Sequence, residues 1–251
     1  GDPLGPYPLT VAWSSITREF RDGMPVVVKT TTYDAALEAD GLRALGDAGA
    51  PVPRVLEVGA HRLVLEEVGG PADWEGLGRA LARCHRATAD RYGYHIDNVI
   101  GPLPQSNRWD GSWAKFYAEQ RLAPYLGDLP AELGDRIRER IDSGHLEALL
   151  EHGQRPSLVH GDLWSGNIVD GRWLIDPAVH YADRELDLAF AAVFGGIPNV
   201  MWQAYQEVWP LDDGWEERRP ALQLYHLLVH VRLFGGGYVR MVADRLNRLG
   251  W

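Results

Sequence analysis

Apolar and polar positions along the chain change their period near residue 70. Before that point, short apolar runs alternate with turn residues. Residues 17–21 and the run Val26-Val27-Val28 flank Asp22-Gly23-Met24-Pro25, which predicts two strands around a turn. Helical spacing follows over 34–47 and is stopped by Gly49 and Pro51. Residues 54–58 and 62–66 predict a second strand pair around Gly59-Ala60-His61. Gly69-Gly70-Pro71 is the strongest break and divides the chain into lobes at 1–68 and 69–251. Beyond it, helical spacing covers 73–90, 109–125, 131–151, 183–194, 199–208 and 216–247. A non-helical island interrupts it at 157–177. The pattern predicts an α+β protein: a small antiparallel β lobe with one helix, then a larger, mainly helical lobe.

Composition narrows the function classes. Lys and Arg total 25 against 35 Asp and Glu, a formal net charge of −10. That balance argues against a nucleic-acid partner or an anionic membrane surface. One cysteine, Cys84, excludes an internal disulfide framework. No run approaches the ~18 apolar residues of a membrane span. The proline-rich start, Gly1 to Thr10, lacks the layout of a signal peptide and reads as a processed or truncated beginning. The expectation is a soluble, cytoplasmic protein. Only Lys29 and Lys115 are lysines, so nearly all basic residues are arginine.

The island carries the candidate chemistry. Asp170-Gly171 between apolar runs predicts a two-residue hairpin turn. That register sets Val169 opposite Arg172 and Asn167 opposite Leu174. Side-chain alternation then brings Asp176 to the same face as Asn167. An amide oxygen and a carboxylate so placed suit Mg²⁺, which takes hard oxygen ligands and substrate phosphates. Asp162 lies five residues before Asn167, in the loop entering the hairpin. Protein kinases space a catalytic Asp and a metal-binding Asn in this way, with a second metal-binding Asp beyond. A polar turn with side-chain caps is the bland alternative.

Phosphate chemistry also needs a cation. Lys29 closes the Val26–Val28 run. On the 34–47 helix Glu38 lies about 40° from Leu42 and about 20° from Leu45, so it shares their apolar stripe. A carboxylate there needs a partner, and Lys29 is the nearest cation in sequence. A lysine and a helical glutamate form the ion pair of kinase active sites.

Together these residues resemble a known family. The sequence His160-Gly161-Asp162-Leu163-Trp164-Ser165-Gly166-Asn167, Asp176-Pro177-Ala178 and Asp183-Arg184-Glu185-Leu186-Asp187 are similar to the fructosamine (ketosamine) kinases of the protein-kinase-like superfamily, near the aminoglycoside phosphotransferases. The stretch Asn98-Val99-Ile100-Gly101-Pro102-Leu103-Pro104-Gln105-Ser106-Asn107 and the segments around Tyr225-His226 and Phe234-Gly235-Gly236 extend the likeness. The resemblance implies a bilobal protein-kinase-like fold and ATP-dependent phosphorylation of the sugar C3 hydroxyl of a small-molecule or protein-bound ketosamine. The unstable product then releases the amine, which is deglycation. It implies Asp162 as catalytic base, Asn167 and Asp176 as Mg²⁺ ligands, and Lys29, positioned by Glu38, on the ATP phosphates. It places Glu66-Glu67-Val68 at the adenine hinge and makes Asp187 a brace for the catalytic loop. The family carries glycines in its first β-turn. The corresponding stretch 13–17 has none, leaving Ser14 and Ser15 as the phosphate-facing donors.

Trp164, Asn98, Gln105 and Asn107 are candidate acceptor contacts, with core, capping and turn roles as alternatives. His226 and His230 have helical metal-ligand spacing, but their leucine and valine neighbours favour packing. Cys84 reads as a small buried hydrophobe. A kinase of an aminoglycoside, choline or another small alcohol remains an alternative, as does a catalytically weak pseudokinase.

Overall fold

The computed structural model describes residues 13–251, so Gly1 to Thr10 lies outside the described residues. The chain opens with a four-stranded antiparallel sheet, order β1-β2-β4-β3. These strands are β1 (Ser14–Arg21), β2 (Met24–Thr31), β3 (Val55–Val58) and β4 (Arg62–Glu66). The stretch 13–17 was expected to be a phosphate loop, but it is the start of β1. Ser15, Ile16 and Thr17 pair with Thr30, Lys29 and Val28. The turn lies at Asp22-Gly23, where both residues have positive φ.

Strand alternation gives β2 two faces. Val26 and Val28 cluster with Val64 on one side. Val27, from the other side, packs with Leu63, Leu65 and the apolar residues of α1 (Ala35–Asp47). Lys29 follows the Val27 alternation and emerges on the α1 side. Asp34 caps α1 by accepting from the Ala36 amide at 2.9 Å.

The remainder is mainly helical. Helix α2 (Trp74–Cys84) is followed by the β5–β6 hairpin (Asn98–Ile100, Leu103–Gln105) and by α3 (Trp113–Phe116). The expected 73–90 helix stops early because the chain leaves it to bridge Thr88 to Ser157. From α3 the helix widens into a π turn at Tyr117–Leu122 and tightens into a 3-10 turn at Ala123–Asp128. Helices α4 (Ala131–Asp142) and α5 (His145–Leu150) replace the expected single 131–151 helix. They separate at Gly144, where φ is 76°. Strand β7 (Ser157–Val159) pairs with β10 (His180–Ala182) around the β8–β9 hairpin (Ile168–Val169, Trp173–Leu174).

That hairpin differs from its expected register. Val169 pairs with Trp173 and Ile168 with Leu174, so Arg172 is an extra residue in the turn. Asp170 and Gly171 both have positive φ, and the Arg172 amide closes the turn onto the Val169 carbonyl at 3.0 Å. Helices α6 (Glu185–Ala191), α7 (Asn199–Val208), α8 (Trp215–Phe234) and α9 (Gly237–Leu249) complete the chain. The expected 216–247 helix is broken in two at Gly235-Gly236. Their φ values of 65° and 42° are ones that side chains beyond glycine rarely adopt.

One contiguous core runs beneath α2, α3, α6, α7, α8 and the β7–β10 pair. Cys84 is fully buried in it, and burial pushes its thiol up to about 12. Among the described residues no helix is long and apolar enough to cross a membrane.

At the start of α6 lies a buried charge cluster. His152 Nε2 sits 2.8 Å from Asp183 Oδ2 and 3.8 Å from Glu185 Oε2, and its Nδ1 sits 3.4 Å from Asp212 Oδ2. Arg218 grips both Glu185 oxygens at 2.7 Å, and Arg184 approaches Asp212 at 3.5 Å. Two guanidinium groups occupy the carboxylates, so this is an ion-pair cluster with little capacity for a metal. Burial opposes charge on His152, but the Asp183 hydrogen bond and the fields of Asp183 and Glu185 raise its pKa. A raised folded-state pKa stabilises below the unfolded value, about 6.5, and the gain fades as pH rises through the folded value. Thermal melts of wild type and His152→Gln therefore diverge most below about pH 6.5 and converge in alkaline buffer. A difference independent of pH would contradict this.

Candidate active site

Lys29 is 3% exposed, and its ammonium is fully occupied. Nζ donates to Glu38 Oε1 at 3.0 Å, to Glu38 Oε2 at 2.8 Å and to Asp176 Oδ1 at 2.8 Å. Burial works against the charge, but the Asp176 and Glu38 carboxylates outweigh it and hold the pKa above the ordinary lysine value. Tyr33, just before α1, donates its hydroxyl to Glu38 Oε2 at 2.8 Å. The sheet, α1 and the β9–β10 connection thus meet at one ammonium.

Asp176 reaches this point in a way that strand alternation did not anticipate. Its φ of 56° is a left-handed conformation, which aspartate tolerates better than most residues. The backbone turns out of β9 after Leu174, and a local bend delivers the carboxylate.

The loop before the β8–β9 hairpin is held on several sides. Asp187 of α6 accepts the His160 amide at 2.7 Å and the Gly161 amide at 2.8 Å. His85, after α2, donates Nε2–H to Asp187 Oδ2 at 3.0 Å, while its Nδ1 meets the Tyr205 hydroxyl at 2.8 Å. Burial alone would raise the Asp187 pKa, but the bonds from His85 and the loop amides hold it below the usual range. Gly161 has φ of 83°, and a Cβ there would fall 2.0 Å from the Ala178 carbonyl oxygen. Glycine is required at that contact.

Asp162 follows. Asn167 Nδ2 donates to its carbonyl at 2.9 Å and to its carboxylate at 3.1 Å. Burial, then the Asp176 charge, pushes the Asp162 pKa up to about 7. These donations leave Asn167 Oδ1, and the Lys29 contact leaves Asp176 Oδ2, without a hydrogen bond from the described residues. The two hard oxygens open onto one cavity, a donor set that fits Mg²⁺.

That cavity has a volume of about 170 Å³. Lys29, Glu38, Asp162, Asn167 and Asp176 line its polar side, with Ser14 and Tyr33 at the sheet. Trp13, Trp164 and the α8 residues Val229, His230, Leu233 and Phe234 form an apolar wall. Trp164 packs edge-on to Phe194 at 5.9 Å.

Other expected site residues lie elsewhere. Ser15 is exposed within β1. Glu66 ends β4 and pairs with Arg54 at 3.0 Å, and Val68 follows in the segment leaving the sheet. Neither lines the cavity. Asn98, Gln105 and Asn107 are 6%, 2% and 1% exposed, too buried to meet an acceptor. Asn98 Nδ2 donates to the Val179 carbonyl at 2.8 Å, and Gln105 Nε2 to the Asn98 side chain and the Ala178 carbonyl. Asn107 joins Asn98 to Arg121, and the Tyr225 hydroxyl donates to Gln105 at 2.6 Å. The acceptor expectation for this trio is therefore corrected: Asn98 and Gln105 support the backbone just beyond Asp176, and Asn107 holds Asn98 and the Ile96 carbonyl. His226 Nε2 donates to the Gly161 carbonyl and His230 Nδ1 to the His226 carbonyl.

Sequence reasoning missed Tyr33 and His85. His85 had a signal, since it continues the four-residue spacing of Leu77 and Leu81 on the buried stripe of α2. Tyr33 had none, because its partner is defined only once β2 meets α1.

Comparison with known proteins finds relatives along nearly the whole chain. The fructosamine kinase family model matches residues 25–249. A Synechocystis sp. protein named a probable ketoamine kinase is 38% identical over 226 residues, covering 84% of this chain and 77% of its own. A Thermobifida fusca crystal structure named for fructosamine-3-kinase superposes with a TM-score of 0.87 at 38% identity, covering 96% of this chain and 91% of its own. The aminoglycoside phosphotransferase APH(4)-Ia shares the fold at a TM-score of 0.61 and 16% identity, covering 96% of this chain and 90% of its own. With an α+β architecture common to kinase-like phosphotransferases and a match along nearly all of its described length, the chain belongs to the fructosamine kinase family and is a phosphotransferase.

Proposed function

We propose that this protein transfers the γ-phosphoryl group of ATP to a sugar hydroxyl of a ketosamine, as a step toward freeing the glycated amine. One observation carries the reading. Lys29, Asp162, Asn167 and Asp176 line a single cavity together with aromatic and apolar side chains. In this reading residues 1–68 form the nucleotide lobe and 69–251 the catalytic and acceptor lobe. The cytoplasm, where ATP is abundant, is the expected compartment.

Lys29 would release part of its hold on Asp176 to meet the phosphates, with Glu38 and Tyr33 fixing its direction. Asn167 Oδ1 and Asp176 Oδ2 would hold Mg²⁺, which supplies positive charge against the phosphate oxygens. Asp162 would orient the acceptor hydroxyl and take its proton, aided by a pKa near neutrality. Positioning and electrostatics carry most of the rate in phosphoryl transfer. Trp164 gives the acceptor a flat apolar surface, and Val229 and Leu233 close the wall behind it.

The test is ADP release with Mg²⁺ and ATP on free fructosyl-lysine, a glycated peptide, an aminoglycoside and choline. The reading expects turnover with a ketosamine and a product heavier by one phosphoryl group. Asp162→Ala should lose about 10²–10⁴-fold in kcat without a change in melting temperature. Wild-type turnover by that variant, or turnover only with the aminoglycoside or choline, would overturn the assignment. Trp164→Ala should raise KM for the ketosamine several-fold while KM for ATP holds. Equal shifts in both constants would remove Trp164 from the acceptor surface.

A further inference from the structure

Asp162 hangs from a peptide unit that is fixed at both ends. Its N–H, contributed by Asp162, points to His160 Nδ1 at 3.2 Å. Its carbonyl, contributed by Gly161, receives Nε2 of His226 at 2.7 Å. A peptide unit is planar. Holding its oxygen and its hydrogen therefore fixes the plane from which the Asp162 Cα–Cβ bond departs. His160 belongs to the same loop and moves with it. His226 belongs to α8, a separate 20-residue helix, and anchors the plane to the rest of the molecule.

We propose that His226 is a positioning residue for phosphoryl transfer, setting the aim of Asp162 by holding the Gly161 carbonyl from α8. The proposal rests on the reading of Asp162 as the base.

The chemistry of the ring supports this role. A carbonyl oxygen only accepts, so the proton resides on Nε2. The other nitrogen, Nδ1, is buried and has no hydrogen-bond partner among the described residues. An orphaned buried nitrogen weakens the fold, and an apolar ring of similar shape would avoid that loss. The same apolar ring would leave the buried Gly161 carbonyl without its donor, so what histidine adds here is that one directed hydrogen bond. The ring lies flat on Phe190, with centroids 4.0 Å apart and planes 5° apart, so the N–H is aimed by packing. Burial also keeps the ring neutral, with its pKa lowered to about 3. The donor is thus present across the working pH range.

The anchoring helix is also the cavity wall. One turn beyond His226, His230 donates Nδ1–H to the His226 carbonyl at 2.7 Å. His230, Val229, Leu233 and Phe234 face the cavity. An acceptor seated on that wall therefore bears on the same helical turn that holds the base.

Two substitutions separate positioning from packing. His226→Phe keeps the stack on Phe190 and lacks the donor. His226→Gln carries an amide N–H that reaches the former Nε2 position. In Mg²⁺- and ATP-dependent phosphorylation of fructosyl-lysine, His226→Phe should lower kcat about tenfold or more. KM for ATP should stay within about twofold and the melting temperature within a few degrees. His226→Gln should recover most of the lost kcat. If His226→Phe does not fold, His226→Asn replaces it, since its shorter amide falls short of the Gly161 carbonyl. Wild-type kcat in the donor-free variant would overturn the proposal. So would a loss that glutamine fails to restore. The Asp162→Ala control separates this from the underlying reading. A dead Asp162→Ala beside a fully active His226→Phe removes only the role of His226, whereas an active Asp162→Ala removes the base itself.

Discussion

A buried ammonium is tolerated only when carboxylates surround it, and Lys29 is held by two from distant parts of the chain. Glu38 arrives nine residues later on α1, and Asp176 arrives 147 residues later from the β9–β10 connection. Removing the buried partner Glu38 costs roughly 3–5 kcal/mol, because the remaining charge stays out of water. The sheet, its helix and the loop region must therefore meet in one arrangement. Much else in the site can be understood as holding Asp176 and Asp162 where this meeting requires them.

The supports are peptide groups gripped by side chains from the helical part. Asp187 takes two loop amides and is itself held by His85. Gln105 and Asn98 take the carbonyls of Ala178 and Val179. Hydrogen bonds to a charged partner contribute about 1.5–3 kcal/mol each, and neutral ones about 1. Such energies are small against the entropy of ordering a loop, but they are directional. In the proposed mechanism direction matters more than strength, since phosphoryl transfer depends on alignment.

The local parts of this arrangement were legible in the sequence. The apolar stripe on α1 and the nearness of Lys29 in sequence pair Lys29 with Glu38, because both signals are short-range. Helix 199–208 was read with its observed ends for the same reason. The Asn167–Asp176 register was misread because the turn admits Arg172 as an extra residue, and φ of 56° at Asp176 is invisible in a one-letter code. Asn98, Gln105 and Asn107 were misread for a deeper reason. An amide that reads a sugar and an amide that holds a backbone carbonyl look alike until the carbonyl is in place; for Asn98 and Gln105 it arrives about 70–80 residues further along, and Asn107 follows by holding Asn98. The resemblance to a kinase family supplied the reaction class, while the roles of Tyr33 and His85 needed three dimensions.

The central claim is that Lys29 serves phosphate chemistry in a chain whose other basic residues, Lys115 apart, are arginine. Lys29→Arg keeps the charge and replaces a compact ammonium with a planar fork. The decisive measurement is ketosamine-dependent ATP turnover by this variant, with its melting temperature recorded alongside. The account predicts a folded protein whose turnover falls about 100-fold or more. Wild-type turnover by a folded Lys29→Arg would contradict it.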